Sequence, residues 1–212
     1  MTDDRLAVLV DPAHTAVLTM ELQRGVVGSE AMFPALVERV SDTGLLATVG
    51  SLCSAAREAG ARVVHCTVKN RPDGAGGSVN CKVFAISDKM RREQGIDPIA
   101  EGTLGAELVD ELGSDDRDIE VARIHGMTPF TSTSLDQILR NLGVTTVVAT
   151  GVSVNLGVLG MALGAVDLGY QVVIPRDAVA GVPAAYADDV LDHTLNLVAT
   201  LTTTADIVAA WA

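Results

Sequence analysis

Residues 144–177, VTTVVATGVSVNLGVLGMALGAVDLGYQVVIPRD, predict a strand, a turn, a helix and a second strand in direct succession. Residues 145–149 form a short β-branched run, typical of a strand that is buried on both faces of a parallel sheet. Gly151 is expected to end this strand, and apolar residues then recur at helical spacing over 154–168. Residues 170–174 form the second buried strand. This βαβ unit predicts an α/β fold with a binding site at its strand-to-helix turn, residues 151–157.

The rest of the chain continues the alternation of strands and helices. Further strands are predicted at residues 16–20, 62–68, 119–124 and 200–203. Helices are predicted at residues 33–59 with a break near 42–44, at 104–112, at 133–142 with Ser134 or Thr133 as N-cap, at 184–198, and in a closing segment that ends at Trp211. Six strands between helices predict a three-layer α/β/α fold with a six-stranded, mainly parallel sheet. No linker divides the chain, so residues 1–212 are expected to form one domain.

Two segments carry weaker patterns. Residues 1–14 are expected to form a lead-in arm. Residues 69–102 have little periodicity, and the segment 71–77, RPDGAGG, predicts a mobile loop. Since a loop of this length in a compact domain is usually functional or disordered, we interpret 69–102 as a lid with a short helix near Lys89. Asn80 and Lys82 in this lid are candidates for substrate specificity.

Composition excludes several classes of function. The formal net charge of −12 argues against partners such as nucleic acid or anionic membrane surfaces. No apolar run approaches the roughly 20 residues of a membrane span, and the acidic N-terminus does not resemble a signal peptide. Cys53, Cys66 and Cys81 are odd in number and lack CxxC spacing, which favours reduced thiols in a cytoplasmic protein.

Polar candidates follow three of the predicted strands, where ligands bind in an open parallel sheet. Glu21 and Gln23 follow the first strand, residues 123–125 (RIH) follow the third, and the turn 151–157 follows the fourth. Neither a P-loop nor a GxGxxG motif is present, so no nucleotide cofactor is expected.

Three segments resemble one known family. They are VLTMELQRGVV (17–27), RIHGMTPFTSTSLDQILRNLGV (123–144) and VVATGVSVNLGVLGMALGAVDLGYQVVIPRDAVAG (147–181). In this order and spacing they resemble the isochorismatase-like hydrolases, also called the cysteine hydrolase superfamily. The resemblance implies a small-molecule substrate, a homodimer or larger homo-oligomer, and a non-proline cis peptide bond at Val152–Ser153.

The chain departs from the residues that most amidases of this family use. The position of their aspartate holds Glu21, the position of their lysine falls on Ile124 beside Arg123, and the position of their cysteine nucleophile falls on Gly157. The isochorismatases proper resemble this chain in having glycine at the last position, and they need a carboxylic acid rather than a nucleophile. A cysteine-dependent amidase is therefore not expected.

The resemblance makes Glu21 the candidate general acid or base and Arg123 an electrostatic anchor. We expect the Glu21 carboxyl to hold a proton near neutrality, because burial and the missing lysine both stabilise its neutral form. Candidate substrate-binding residues are Gln23, Asn80, His125, Val152, Ser153 and Gly157, with backbone N–H groups of the turn as donors. The predicted function is hydrolysis, without a cofactor, of a small anionic or carbonyl-bearing metabolite.

Structural roles stay open for each candidate. Glu21 can be a solvated strand-end residue, Arg123 an ion-pair partner on an edge strand, and His125 a hydrogen-bonded loop residue. Gly157 can be present for helix packing, and Ser153 suits a helix N-terminus in any protein. The alternative function is therefore a catalytically inactive family member that binds a metabolite or scaffolds a partner.

A metal site is not expected. Nicotinamidases of the family bind a metal through an Asp-x-His pattern and a later histidine. The corresponding segment here, VVHCTVKNRPDG (63–74), lacks that spacing.

Overall fold

The computed structural model describes residues 3–212, and a parallel sheet forms its centre. The strands are β1 (Thr15–Met20), β2 (Arg62–Val68), β3 (Ile119–Arg123), β4 (Thr146–Val152), β5 (Gln171–Pro175), β6 (Val179–Ala180) and β7 (Thr200–Thr202). Their order is β3-β2-β1-β4-β5-β7, with the short β6 beside the end of β4. Every pairing between these strands is parallel, which confirms the predicted sheet and adds one short strand.

Helices cover both faces of the sheet. They are α1 (Asp3–Leu9), α2 (Arg24–Val27), α3 (Pro34–Asp42), α4 (Leu45–Ala59), α5 (Lys82–Gln94), α6 (Pro129–Ser132), α7 (Leu135–Asn141), α8 (Leu159–Asp167), α9 (Ala184–His193) and α10 (Thr204–Ala210). One buried cluster joins the sheet to α6–α9, and a second joins its other face to α1–α4 and α10. The three-layer α/β/α prediction is therefore confirmed. No helix within residues 3–212 is long and apolar enough to cross a membrane.

The strand at the centre shows why the two clusters form. All six residues of β1 are buried. Leu18 and Met20 point into one cluster and Val17 into the other, because successive side chains of a strand face opposite sides. A strand covered by helices on both faces is mostly apolar, which is the pattern that residues 16–20 show, and the one polar side chain among them, Thr19, is hydrogen-bonded to His65.

Several boundaries differ from those predicted. Within the expected arm, Asp3–Leu9 is a helix that buries Leu6, while residues 1 and 2 lie outside the described part. The predicted helix 33–59 begins one residue later, at Pro34, and the break predicted near 42–44 is confirmed, since α3 and α4 are separated at Gly44, whose φ is +64°. The predicted helix 104–112 is two single 3₁₀ turns, Leu104–Ala106 and Asp110–Leu112.

Three helices also begin or end at other positions than predicted. The lid helix α5 has 13 residues and is not short. Helix α9 ends at His193, and a 3₁₀ turn, Leu195–Leu197, follows it. Helix α7 begins after Ser134, and the hydroxyl of Thr133 accepts a hydrogen bond from the amide of Leu135 at 3.0 Å.

The strand-to-helix turn after β4 also differs in detail. Gly151 does not end the strand, which continues to Val152. A Cβ at Gly151 would lie 2.3 Å from the carbonyl oxygen of Met20, so glycine is required there by the close approach of β1, and its φ is +97°. The Val152–Ser153 peptide bond is cis, as the resemblance predicted. A π-helical turn, Val154–Val158, then leads into α8.

Candidate functional site

A cavity of about 310 Å³ opens at the carboxyl ends of β1 to β4, beneath α5. Most of its surface is apolar, with a few polar groups on one wall. Its lining residues are Glu21, Gly25, Val26, Met32, Phe33, Leu36, Val68, Val83, Phe84, Ser87, Pro98, Ile99, Arg123, Met127, Ser153, Asn155, Leu156, Gly157 and Val182. A largely apolar cavity with a few convergent polar groups is typical of a small-molecule site. We call it the main cavity.

Glu21 lies directly after β1 and reaches the wall of the main cavity. Its φ of +54° places it in the left-handed region, which costs a non-glycine residue about 1–2 kcal/mol. Its amide donates to the carbonyl of Cys66 at 3.0 Å. Its side chain is 19% exposed, so it is mostly buried but still in contact with solvent. A strained backbone at a cavity wall indicates a functional position.

Arg123 at the end of β3 forms an ion pair with Glu21. Its side chain is 3% exposed, its Nε donates to the carbonyl of Gly126 at 3.0 Å, and its Nη1 donates to the carbonyl of Thr67 at 3.3 Å. The lysine that most amidases of the family use is missing, but another cation, the Arg123 guanidinium, lies beside Glu21. The further expectation, a proton on the Glu21 carboxyl near neutrality, stays a prediction. The ion-pair role considered for Arg123 is confirmed.

The turn after β4 supplies the opposite wall. Ser153 and Gly157 line the main cavity, as predicted, and Asn155 lines it as well. The Ser153 hydroxyl donates to Oδ1 of Asn155 at 2.6 Å, and Nδ2 of Asn155 donates to the carbonyl of Val182 at 3.3 Å. Val152 is fully buried in the core and does not line the cavity, contrary to the location that its predicted contact with substrate requires.

The backbone donors of this turn are partly used. The amides of Leu156 and Val158 both donate to the carbonyl of Ser153, at 3.0 and 3.1 Å. Leu156 therefore does not offer the free N–H group that was expected of the turn.

Gly157 leaves little room for a side chain. A Cβ at this position would lie 2.8 Å from Cε of Met20 and 3.2 Å from the carbonyl oxygen of Val152. Met20 thus fills the space into which a side chain at position 157 would extend. Gly157 therefore packs closely against Met20, as in the packing role considered for it, and it also lies on the wall of the main cavity.

Gln23 does not line the main cavity, contrary to the location that its predicted role in substrate binding requires. The residue is fully buried, and its side-chain amide donates to the carbonyls of Val68 and Ala106, both at 2.9 Å. Its Oε1 accepts from the amide of Val68 at 2.8 Å. Through these hydrogen bonds, Gln23 connects the end of β2 to the segment around Ala106.

Asn80 and His125 also lie outside the main cavity. Asn80 is exposed and accepts a hydrogen bond from the Ser78 hydroxyl at 2.8 Å. His125 lines a second, smaller cavity that α5 also lines. Both were predicted to bind substrate at the Glu21 site, and the structure places neither there.

The cysteines do not provide a nucleophile for this site. None of the residues that line the main cavity is a cysteine. Cys53 and Cys66 are fully buried, and burial raises the pKa of each thiol to about 12. Since the thiolate is the reactive form, these two thiols are inert near neutral pH. Within residues 3–212 there is also no cluster of three His, Cys, Asp or Glu side chains that could hold a metal ion.

The sequence did not identify the apolar lining. Met32 and Phe33, Phe84, and Met127 come from three separate segments, and nothing in their local patterns distinguishes them from core residues. Phe33 is 40% exposed, which is unusual for an aromatic side chain and is a signal of a site only once the fold is known.

Comparisons with known proteins agree on one family. A family model described as Isochorismatase domain matches residues 15–206. The ureidoacrylate amidohydrolase RutB of Pseudomonas syringae pv. syringae (strain B728a) is 29% identical over 176 residues, covering 79% of this chain and 71% of that protein.

Two solved structures are similar over nearly the whole chain. An isochorismatase family protein from Burkholderia thailandensis has a TM-score of 0.74 and 26% identity, covering 94% of this chain and 96% of that one. A cysteine hydrolase from Pseudomonas syringae pv. phaseolicola 1448A has a TM-score of 0.78 and 22% identity, covering 96% of this chain and 94% of that one. The second likeness concerns the fold alone.

Proposed function

Because the chain belongs to the isochorismatase family of hydrolases, we propose that it hydrolyses a small carbonyl-bearing metabolite without a cofactor and without a cysteine nucleophile. Glu21 is the general acid/base. The observation that carries this proposal is the Glu21–Arg123 ion pair on the wall of a largely apolar cavity. An amide or ester group fits such a site, because its carbonyl is polar while its substituents are apolar.

The ion pair favours a base as the first role of Glu21. Its carboxylate accepts a proton from water while the water oxygen attacks the carbonyl carbon. The bond from that carbon to the leaving nitrogen or oxygen then breaks, and Glu21 returns the proton to the leaving atom. Acid/base help of this kind contributes roughly 10²–10⁴-fold to the rate.

Arg123 has two roles in this mechanism. It fixes the orientation of the Glu21 carboxylate through its own bonds to the carbonyls of Gly126 and Thr67. Its positive charge also lies on the cavity wall, where it stabilises negative charge on the substrate oxygen.

Two observations support the proposal that water is the nucleophile. Gly157 provides no side-chain nucleophile, and Met20 fills the adjacent space. Cys66 is the cysteine nearest to Glu21 along the hydrogen-bonded backbone, yet its thiol is fully buried and its pKa is raised to about 12.

One observation favours the alternative of a binding protein without catalysis. Arg123 is bonded to one oxygen of Glu21 and to two backbone carbonyls, so both charged groups of the wall are already partnered. A site whose charges neutralise each other binds neutral ligands without needing to transform them.

A substrate panel distinguishes the two functions. The panel contains amides, esters, vinyl ethers and N-carbamoyl compounds, the last because the RutB relative is named for ureidoacrylate. Turnover by the wild type that is lost in Glu21→Gln and kept in Glu38→Gln supports the hydrolase, since Glu38 is an exposed residue of α3. Ligand-induced thermal stabilisation without turnover of any compound supports the binding protein. Full activity of Glu21→Gln rejects the proposed mechanism.

A further inference from the structure

A second cavity of about 200 Å³ lies against the main cavity. The two share four lining residues, Val68, Phe84, Ser87 and Ile99. Phe84 and Ser87 lie on α5, so this helix contacts both spaces. His125 and Asn70 line the second cavity, which therefore continues the main cavity along the same edge of the sheet.

The second cavity is rich in arginine, in a chain whose net charge is −12. Arg91 and Arg92 line it from α5, together with Asp88. Arg91 bonds to Oδ1 of Asp88 at 2.8 Å, and Arg92 approaches Oδ2 of the same carboxylate at 2.8 Å. One carboxylate balances only one of the two guanidinium charges. A positive charge therefore remains at the cavity.

The position of Arg91 is fixed from two sides. A Cβ at Gly74 would lie 2.7 Å from its Nη1, so the loop at Gly74 packs directly against the guanidinium, while Asp88 holds it from the helix. Its side chain is 29% exposed. Ordering a guanidinium before binding lowers the entropy that a ligand must remove. Arg71 also lines the cavity and is paired with Asp73.

The two cavities thus differ in charge. Arg123 in the main cavity is matched by Glu21, and the remaining lining there is mostly apolar. An anionic group would gain little in the main cavity, whereas the second cavity offers it Arg91 and Arg92.

We propose that the second cavity is an anion subsite that holds the carboxylate or phosphate of a two-part substrate. The carbonyl to be hydrolysed lies in the main cavity beside Glu21, and an apolar segment passes Phe84. This inference rests on the proposed function for the reaction itself but not for the binding of the anion. It names the substrate class as an amide or ester that carries a negative charge at some distance from the carbonyl.

The binding of octanoate and of octanamide to the whole protein tests the subsite by calorimetry. We expect octanoate to bind more tightly than the neutral amide, and its advantage to fall as salt is added. Arg91→Gln should weaken octanoate binding about tenfold, with little effect on octanamide. Lys89→Gln is the matched control, because it removes one positive charge from the same helix at a residue outside the cavity.

Asp88→Asn provides the opposite test. It removes the carboxylate that Arg91 and Arg92 share, while the loop at Gly74 still packs against Arg91, so the gain in net positive charge should outweigh the loss of order and raise octanoate affinity several-fold. This gain keeps the proposal testable even if Arg91→Gln unfolds the lid. Equal effects of Arg91→Gln and Lys89→Gln, or an Asp88→Asn variant with unchanged affinity, would overturn the subsite. Octyl phosphate in place of octanoate shows which anion the cavity prefers.

The Glu21→Gln variant separates this inference from the proposed function. Octanoate binding that survives in Glu21→Gln, together with no turnover of any panel compound by the wild type, leaves the subsite standing and rejects the hydrolase. Turnover of neutral amides with no preference for charged ones supports the hydrolase and rejects the subsite.

Discussion

The carboxylate of Glu21 and the guanidinium of Arg123 form an ion pair across the end of β2, a strand that contains neither residue. Glu21 follows β1 and Arg123 ends β3, while β2 lies between them in the sheet. Both residues are tied to β2, since the Glu21 amide donates to Cys66 and Nη1 of Arg123 donates to the carbonyl of Thr67. The position of the acid/base therefore depends on three adjacent strands.

The first prediction concerns Arg123. Arg123→Gln leaves the Glu21 carboxylate without its cation in a mostly buried position, and we expect the free energy of unfolding to fall by about 3 kcal/mol. Turnover should also fall, because Glu21 loses its orientation. Arg123→Lys keeps the charge but loses the planar fork, so it should be intermediate. Urea denaturation and kcat of the three proteins measure both effects.

A double-mutant cycle isolates the pair. In the Glu21→Gln background, Arg123→Gln should cost less than it does in the wild type, because no carboxylate remains to be left unpaired. Equal costs in the two backgrounds would show that the ion pair contributes nothing to stability and that Arg123 acts through its carbonyl partners alone.

The second prediction concerns the space beside Gly157. Gly157→Ala places a methyl group 2.8 Å from Cε of Met20, and we expect a loss of about 1–3 kcal/mol in unfolding free energy from overpacking. The loss should shrink in a Met20→Ala background, which removes the contact. Gly164→Ala on α8, where the nearest atom would be 3.3 Å away, serves as the control. If Gly157→Ala were neutral in thermal unfolding, Met20 would not restrict this position.

The central strands β1, β2 and β4 were predictable from sequence because they are buried on both faces. Residues 62–68 were predicted with the observed bounds, since an apolar, β-branched run is unambiguous there. Gly151 was interpreted as a strand end, whereas it is glycine because the carbonyl of Met20 on the neighbouring strand approaches closely. A close contact between two strands cannot be recognised from the local sequence of either strand.

The candidate site was predictable only in part, for a related reason. Glu21, Arg123, Ser153 and Gly157 were identified at strand ends, and all four line the main cavity. The pairing of Glu21 with Arg123 was not predicted, because it depends on the order of the strands in the sheet. Asn80 was misplaced because the lid is positioned by tertiary contacts, such as the carbonyl of Pro98, which packs against Gly25.

The third prediction is a pH dependence that arises from His65. This histidine is buried, with Nδ1 2.8 Å from the Thr19 hydroxyl, and burial lowers its pKa from the usual 6.5 despite the nearby Asp118. Below pH 6.5 the unfolded chain therefore binds a proton that the folded chain resists, so stability should fall as the pH decreases from 6.5 towards the folded-state pKa. Above pH 6.5 His65 is neutral in both states and contributes no slope.

Chemical denaturation at a series of pH values between about 5 and 8 measures this effect. His65→Gln should flatten the decline below pH 6.5, while His193→Gln, at an exposed position on α9, should leave it unchanged. A decline of the same steepness in His65→Gln would assign the pH dependence to other groups.

The fourth prediction concerns Gln23, which the structure assigns to the framework and not to the ligand. Gln23→Met keeps the size of the side chain. It leaves the carbonyls of Val68 and Ala106 and the amide of Val68 without their hydrogen-bond partner. We expect a loss of about 3 kcal/mol, which corresponds to a fall in Tm of roughly 6–12 °C for a chain of this size. Ligand affinity, measured well below Tm, should stay within about twofold of wild type, because Gln23 does not line the main cavity. A large loss of affinity with an unchanged Tm would instead return Gln23 to the site.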